Sequence, residues 1–153
     1  MTTTALLIMD VQQGIVERFA GDDGYLARLG TAITAARGAG IGVIYVTVAF
    51  RPGYPEVSDN NKSFAAIAGT GRFTDSDPGA RVHPAVAPAP GDVTVTKRRV
   101  SAFAGSDLDY RLTVLADGCL DADPEVHEVL LQKVFPRQAE VTSIAGWAAG
   151  LPA

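Results

Sequence analysis

Runs of apolar residues that end in a polar or charged residue predict the strands of a parallel sheet. Residues 5–9 read ALLIM and end at Asp10, and residues 41–48 read IGVIYVTV. Runs like these are typical of strands buried on both faces of a parallel sheet. Residues 93–96 read VTVT, end at Lys97 and predict a third strand. Between the first two strands, apolar positions at helical spacing predict a helix over residues 23–37 that is stopped by Gly38 and Gly40.

The second half of the chain continues the alternation of strands and helices. Residues 50–91 are rich in Pro, Gly and Asp, and only residues 63–68 have a helical pattern. Strands are predicted at residues 111–116 and 140–142. A helix is predicted to begin at Asp123-Pro124-Glu125 and to reach Pro136, and a closing helix is predicted over residues 144–149. Together these elements predict one α/β domain over residues 1–153, with a mostly parallel sheet and helices on both faces.

One interval between predicted strands is too short. Only twelve residues, 98–109, separate Lys97 from Tyr110, whereas residues 11–40, thirty in all, connect the first two strands. A parallel crossover needs a dozen or more residues and normally includes a helix. The spacing therefore indicates that a segment is missing between Asp107 and Tyr110.

Charge and composition narrow the classes of function. The formal net charge is −4 and the isoelectric point is about 5.0, which argues against nonspecific nucleic-acid binding. The basic run at residues 97–99 has only three residues, so it is no polybasic patch. The single cysteine forms no internal disulfide, and residues 1–10 lack the basic region and the length of a signal peptide or membrane span. We expect a cytoplasmic protein without membrane partners.

Asp10 and Lys97 are the first candidates for chemistry. Each stands at the carboxyl end of a predicted parallel strand, which is the edge where open α/β sheets bind ligands. An Asp beside a Lys can act as acid or base with an electrostatic partner. The alternative from position alone is two solvated charges at strand ends.

Five further residues are candidate substrate contacts. Gln12 is placed either to bond a substrate or to cap the turn after the first strand. The long loop after the second strand begins with Phe50, Arg51 and Tyr54. These residues either line a pocket in which Arg51 binds a substrate carboxylate, or only pack the loop. Phe103 is a further candidate wall, with plain core packing as its alternative.

The remaining reactive side chains predict neither a metal nor a cofactor. Cys119 lies in a turn beside acidic residues, which disfavours a thiolate and favours a structural role. His83 and His127 lack the neighbouring ligands that a metal site needs.

Four segments, in order, resemble one enzyme family. Residues 5–16 (ALLIMDVQQGIV), 46–60 (VTVAFRPGYPEVSDN), 93–108 (VTVTKRRVSAFAGSDL) and 112–141 are similar to segments of the isochorismatase-like superfamily of cysteine hydrolases. The resemblance implies a six-stranded, mostly parallel sheet and an Asp, Lys and Cys triad. Asp10 and Lys97 match the first two members. The catalytic Cys belongs to the strand–helix unit that is absent here, and Cys119 matches a position that is not catalytic in the family.

The resemblance leaves three readings open. The chain is a small-molecule hydrolase that cleaves an amide or vinyl-ether bond without a covalent cysteine step, an inactive relative that binds a ligand or oligomerises, or, least favoured, a hydrolase that uses Cys119. The missing cysteine favours the second interpretation and the family resemblance favours a hydrolase. We expect a hydrolase of this family without a covalent cysteine step, with the inactive relative as the alternative. The family commonly forms homo-oligomers, and unpaired strand edges favour the same outcome, so a homodimer is expected.

Overall fold

The structure is a computed structural model that describes residues 4–19, 24–98, 111–137 and 139–152. Short 3-10 turns and one π turn, Leu130–Val134 after the fourth helix, connect the main elements. The strands are β1 (Ala5–Met9), β2 (Gly42–Val48), β3 (Val93–Lys97), β4 (Thr113–Leu115) and β5 (Glu140–Thr142). The helices are α1 (Gln13–Val16), α2 (Tyr25–Gly38), α3 (Lys62–Thr70), α4 (Pro124–Val129) and α5 (Ile144–Ala149).

The described strands form two parallel sheets. In the first sheet β2 lies between β1 and β3, and Tyr45 at its centre is in register with Ile8 and Thr94. In the second sheet β4 pairs with β5. The predicted α/β class with parallel strands is confirmed.

The break between the two sheets lies where the sequence indicates a missing unit. Among the described strands, β1 has one neighbour, β2, and β4 also has one neighbour, β5. The chain passes from β3 to β4 through residues 99–110, which lie outside the described residues.

Helix α2 covers one face of the first sheet and forms the main core. It confirms the helix predicted over residues 23–37, and Gly40 after it adopts a φ of 69°, a backbone conformation in which glycine is unstrained. Ile144 of α5 is buried in the same core. The side chains that meet between helix and sheet are Leu29, Ala32, Ile33 and Ala36 from α2 and Leu6, Ile8, Val43 and Tyr45 from the strands.

The opposite face of this sheet is partly open in the described structure. Leu7 and Met9 of β1 are 36% and 38% exposed, and Val93 and Val95 of β3 are 52% and 48% exposed. The register places all four on the face away from α2. The prediction that the first strand is buried on both faces is therefore wrong, because an apolar run does not specify whether both faces of a strand acquire a packing partner.

The long segment between β2 and β3 has a core of its own. Phe50, Phe64 and Phe73 are buried together, and the ring centroids of Phe50 and Phe64 lie 4.9 Å apart. Helix α3 confirms the helix predicted over residues 63–68, and the Asn61 side chain caps it by accepting from the Phe64 backbone N–H at 3.1 Å. This second core orders a segment that would otherwise be an unusually long loop.

Candidate functional site

Asp10 and Lys97 meet at the carboxyl edge of the first sheet. Asp10 follows β1, Lys97 ends β3, and β2 lies between them, so the long lysine side chain spans the middle strand. Lys97 Nζ donates to Asp10 Oδ2 at 2.6 Å. The Lys97 side chain is only 11% exposed and that of Asp10 is 35% exposed, which limits screening of the charge-assisted hydrogen bond. The predicted proximity of the two residues is confirmed.

The Asp10 backbone is held in an unusual conformation. Its φ is 58°, in the left-handed region that costs a non-glycine residue about 1 kcal/mol and that aspartate tolerates better than most. Its N–H donates to Val46 O of the neighbouring strand at 2.8 Å, which fixes the turn after β1. Such strain in a folded protein is concentrated at functional sites.

The second carboxylate oxygen of Asp10 is buried but has no hydrogen-bond partner in the described part of the chain. Buried carboxylate oxygens are normally paired, because a missing bond leaves the desolvation cost uncompensated. Oδ2 is held by Lys97, so Oδ1 remains available for a proton or for a hydrogen bond from a substrate or water.

Gln12 bonds to backbone groups beside the site and does not point towards a substrate position. Its side chain is fully buried, with Nε2 donating to Val48 O at 2.8 Å and to Ala80 O at 2.5 Å. Its Oε1 accepts from the Val48 N–H at 2.8 Å. The expectation of a substrate contact is corrected here, because these backbone groups occupy the amide. Gln12 instead joins the end of β2 to the Pro78–Ala80 turn.

Phe50 and Tyr54 pack the long segment together. Phe50 is fully buried, so the structure corrects its expected place in a pocket wall and assigns it to the core. Tyr54 lies against it with ring centroids 5.7 Å apart and donates its hydroxyl to Arg72 O at 2.7 Å. Phe103 lies outside the described residues.

Arg51 binds a carboxylate of its own chain. Its Nε donates to Glu56 Oε1 at 2.6 Å, and Arg98 approaches the same oxygen at 3.4 Å. Burial opposes ionisation of Glu56, but the hydrogen bond from Arg51 and the positive charges outweigh it and lower the pKa of Glu56. The prediction that the Arg51 guanidinium binds a substrate carboxylate is corrected, because this guanidinium binds Glu56 of its own chain.

Arg98 was not singled out as a site residue from the sequence. Its guanidinium donates to Ala49 O at 2.9 Å and lies 3.5 Å from an Asp75 oxygen. It therefore ties the end of β3 to the segment after β2, directly beside Lys97. Only its position next to Lys97 in the sequence signals this role.

A cavity of about 400 Å³ lies near this edge of the sheet, at the end of β2. Val48, the last residue of β2, lines it and is in register with Lys97. Neither Asp10 nor Lys97 belongs to the lining. The apolar lining residues are Ile15, Val48, Ile67, Phe73 and Ala122, and the charged ones are Arg18 and Asp121. No pattern along the chain marks Arg18 or Phe73, because α1, α3 and the turn before α4 meet there only on folding.

The local environment of Cys119 does not favour a nucleophile. Its Sγ donates to Leu115 O at 3.4 Å. Burial, and then the charge of Asp117, raise the pKa of the thiol, which keeps it protonated at neutral pH. Within the described ranges no cluster of three or more His, Cys, Asp or Glu side chains is placed to hold a metal ion, and no helix is long and apolar enough to span a membrane.

Comparison with known proteins places the chain in a family. The model of the isochorismatase domain matches residues 4–112, a range that includes both Asp10 and Lys97. This chain belongs to the isochorismatase family. The matched range ends directly before β4. No curated protein matches the chain.

Solved structures show the same isochorismatase-like fold. An isochorismatase family protein from Desulfovibrio vulgaris is similar with a TM-score of 0.81 and 21% identity, over 96% of this chain and 97% of that one. A cysteine hydrolase from Pseudomonas syringae gives 0.77 and 20%, over 95% and 91%. N-carbamoylsarcosine amidase from Thermoplasma acidophilum gives 0.66 and 19%, over 94% and 97%. At these identities the likeness concerns the fold.

Proposed function

We propose that this isochorismatase-family chain hydrolyses a small molecule by cleaving an amide or vinyl-ether bond without a covalent cysteine intermediate. The observation that carries the proposal is the Asp10–Lys97 pair, in which Lys97 holds one carboxylate oxygen and the other is buried without a partner. A similar solved structure is named an amidase, which supports the amide class.

The pair supplies acid–base chemistry at one defined atom. For an amide, Asp10 Oδ1 accepts a proton from the attacking water and returns it to the leaving nitrogen. For a vinyl ether, the carboxyl group of Asp10 first gives its proton to the double bond, and water adds to the resulting cation and returns a proton to Asp10. The hemiketal then collapses as its hydroxyl proton passes to the leaving oxygen, which releases an alcohol and a carbonyl product. In both cases Lys97 offsets negative charge on Asp10.

Direct attack by water follows from the state of the cysteine. Cys119 is the only cysteine of the chain, and burial beside Asp117 raises the pKa of its thiol. A protonated thiol is a poor nucleophile. Water activated at Asp10 is therefore the proposed nucleophile.

The test is product release from a panel of primary amides and isochorismate, followed as ammonia or pyruvate. We expect turnover on at least one member, and a fall of about 100-fold or more in Asp10→Asn, because acid–base catalysis contributes a factor of this order. The matched control is Asp59→Asn. It removes the same charge from an exposed loop position and should leave turnover unchanged.

Two results would contradict the proposal. One is a chain that melts cooperatively but turns over no member of the panel. The other is turnover that Asp10→Asn leaves unchanged.

A further inference from the structure

The cavity beside Lys97 carries an unusual pair of charges in an apolar lining. Five of its lining residues are apolar, and Arg18 and Asp121 are the two charged ones. No ion pair joins these two side chains in the described structure. Asp121 accepts from the Asp123 N–H at 2.9 Å, and Arg18 lies over the Phe73 ring. The guanidinium is therefore not neutralised by the carboxylate that shares its cavity.

Arg18 keeps its hydrogen-bond donors available. Its contact with Phe73 is a cation–π contact, with the guanidinium carbon 6.0 Å from the ring centroid, and it has no hydrogen bond or ion pair to any described residue. A cation–π contact positions a guanidinium without using its N–H groups. An arginine fork prefers a planar carboxylate, which it binds with two parallel hydrogen bonds.

Arg72 provides an internal comparison. Its guanidinium also lies over Phe73, 5.7 Å from the ring centroid, but Arg72 does not line the cavity. The two arginines share one aromatic platform and differ in access to the cavity, so substitution of each separates binding in the cavity from packing on Phe73.

We propose that this cavity binds a small molecule with an apolar body and a single carboxylate, and that Arg18 binds the carboxylate. Phe73, Ile15 and Ile67 pack against the body, and the volume of about 400 Å³ suits a ligand of one ring. Asp121 disfavours a second anionic group, because its carboxylate and that group would repel each other within one cavity. This inference names the substrate class of the proposed hydrolase and rests on that function, because Val48 lines the cavity and lies beside Lys97.

The test measures binding and needs no turnover. Benzoate is the anionic probe, and acetophenone is a neutral probe of nearly the same shape; both are titrated into the full chain by isothermal calorimetry or by ligand-observed NMR. We expect Arg18→Gln to weaken benzoate binding roughly tenfold, as loss of a charge-assisted hydrogen bond does, and to leave acetophenone binding within about twofold. Arg18→Lys should recover part of the loss.

The matched control is Arg72→Gln, which should leave benzoate binding unchanged. The proposal is overturned if benzoate does not bind, or if Arg18→Gln binds benzoate as well as the parent chain does. It is also overturned if Arg72→Gln weakens benzoate binding to the same extent, or if Arg18→Gln weakens acetophenone binding to the same extent. Arg18-dependent benzoate binding in a chain that turns over no substrate would keep the cavity as a carboxylate-binding site and would overturn both the proposed hydrolase function and the assignment of its substrate class.

Discussion

Lys97 reaches across the middle strand of the sheet to place its Nζ 2.6 Å from Asp10 Oδ2. If this contact neutralises charge during turnover, Lys97→Met should lower turnover about 100-fold, because the carboxylate loses its electrostatic partner. Lys97→Arg, which keeps the charge, should retain part of the activity. The measurement is turnover on the best substrate of the panel, with the melting temperature of each variant as the control for folding. Full activity in Lys97→Met would exclude the proposed role.

Gln12 and the end of β2 form the structural support of this site. Gln12→Ala removes three buried side-chain bonds to Val48 and Ala80, so we expect the free energy of unfolding to fall by about 2–4 kcal/mol. Gln13→Ala is the matched control, because Gln13 makes no side-chain hydrogen bond in the described structure and should cost less than about 0.5 kcal/mol. Urea denaturation measures both, and equal losses would contradict the assigned role of Gln12.

Asp77 holds the turn that carries Phe73. It accepts from the Phe73 N–H at 2.6 Å and the Gly79 N–H at 2.8 Å, and these two backbone bonds lower the pKa of its carboxyl. A lowered pKa contributes stability above the unfolded value of about 3.9, and the contribution is lost as pH falls through the folded value below it. Asp77→Ala, which removes the cap, should cost about 1 kcal/mol at neutral pH.

The pH series tests this assignment of Asp77. The difference in melting temperature between the parent chain and Asp77→Asn should be constant near neutral pH and should shrink as pH falls below about 4. Asp59→Asn, a substitution of an exposed loop aspartate without an ion pair in the described structure, is the comparison. A difference independent of pH down to acid unfolding would contradict it.

Cys119 should react slowly and be dispensable. Burial and the charge of Asp117 raise the pKa of its thiol, so the folded chain should alkylate with iodoacetamide at pH 7.5 more slowly than the same chain in urea. Mass spectrometry counts the modification at this single cysteine. Cys119→Ser should keep the turnover of the parent chain. Loss of turnover with an intact fold would instead favour a cysteine mechanism.

The open face of the first sheet, defined by Leu7, Met9, Val93 and Val95, tests the predicted homodimer. Exposed apolar side chains on a sheet with unpaired edges favour self-association. We expect sedimentation velocity to give twice the monomer mass, and Val95→Glu to shift the chain towards monomer. Thr94→Glu places the same charge on the other face of β3 and should not dissociate the dimer. A monomeric parent chain would refute the prediction.

The sequence alone predicted the order of elements and the meeting of Asp10 and Lys97 at one edge of the sheet. Apolar runs end where strands end, so Asp10 and Lys97 were placed at one edge from local pattern, because the carboxyl ends of parallel strands share an edge. The same counting of residues predicts a missing segment between β3 and β4, and this stays a prediction because residues 99–110 lie outside the described residues. These features depend on short-range periodicity and on chain length, which a sequence records directly.

Only the tertiary structure decided which side chains face a cavity and which are enclosed by backbone. Gln12 and Phe50 were expected at the substrate, but long-range contacts with Val48, Ala80 and Phe64 bury both. Arg18 carried no signal in the sequence, because its place in the cavity depends on segments far apart in the chain that meet only on folding. The physical reason is that packing is set by these non-local contacts, whereas the pattern along the chain is local.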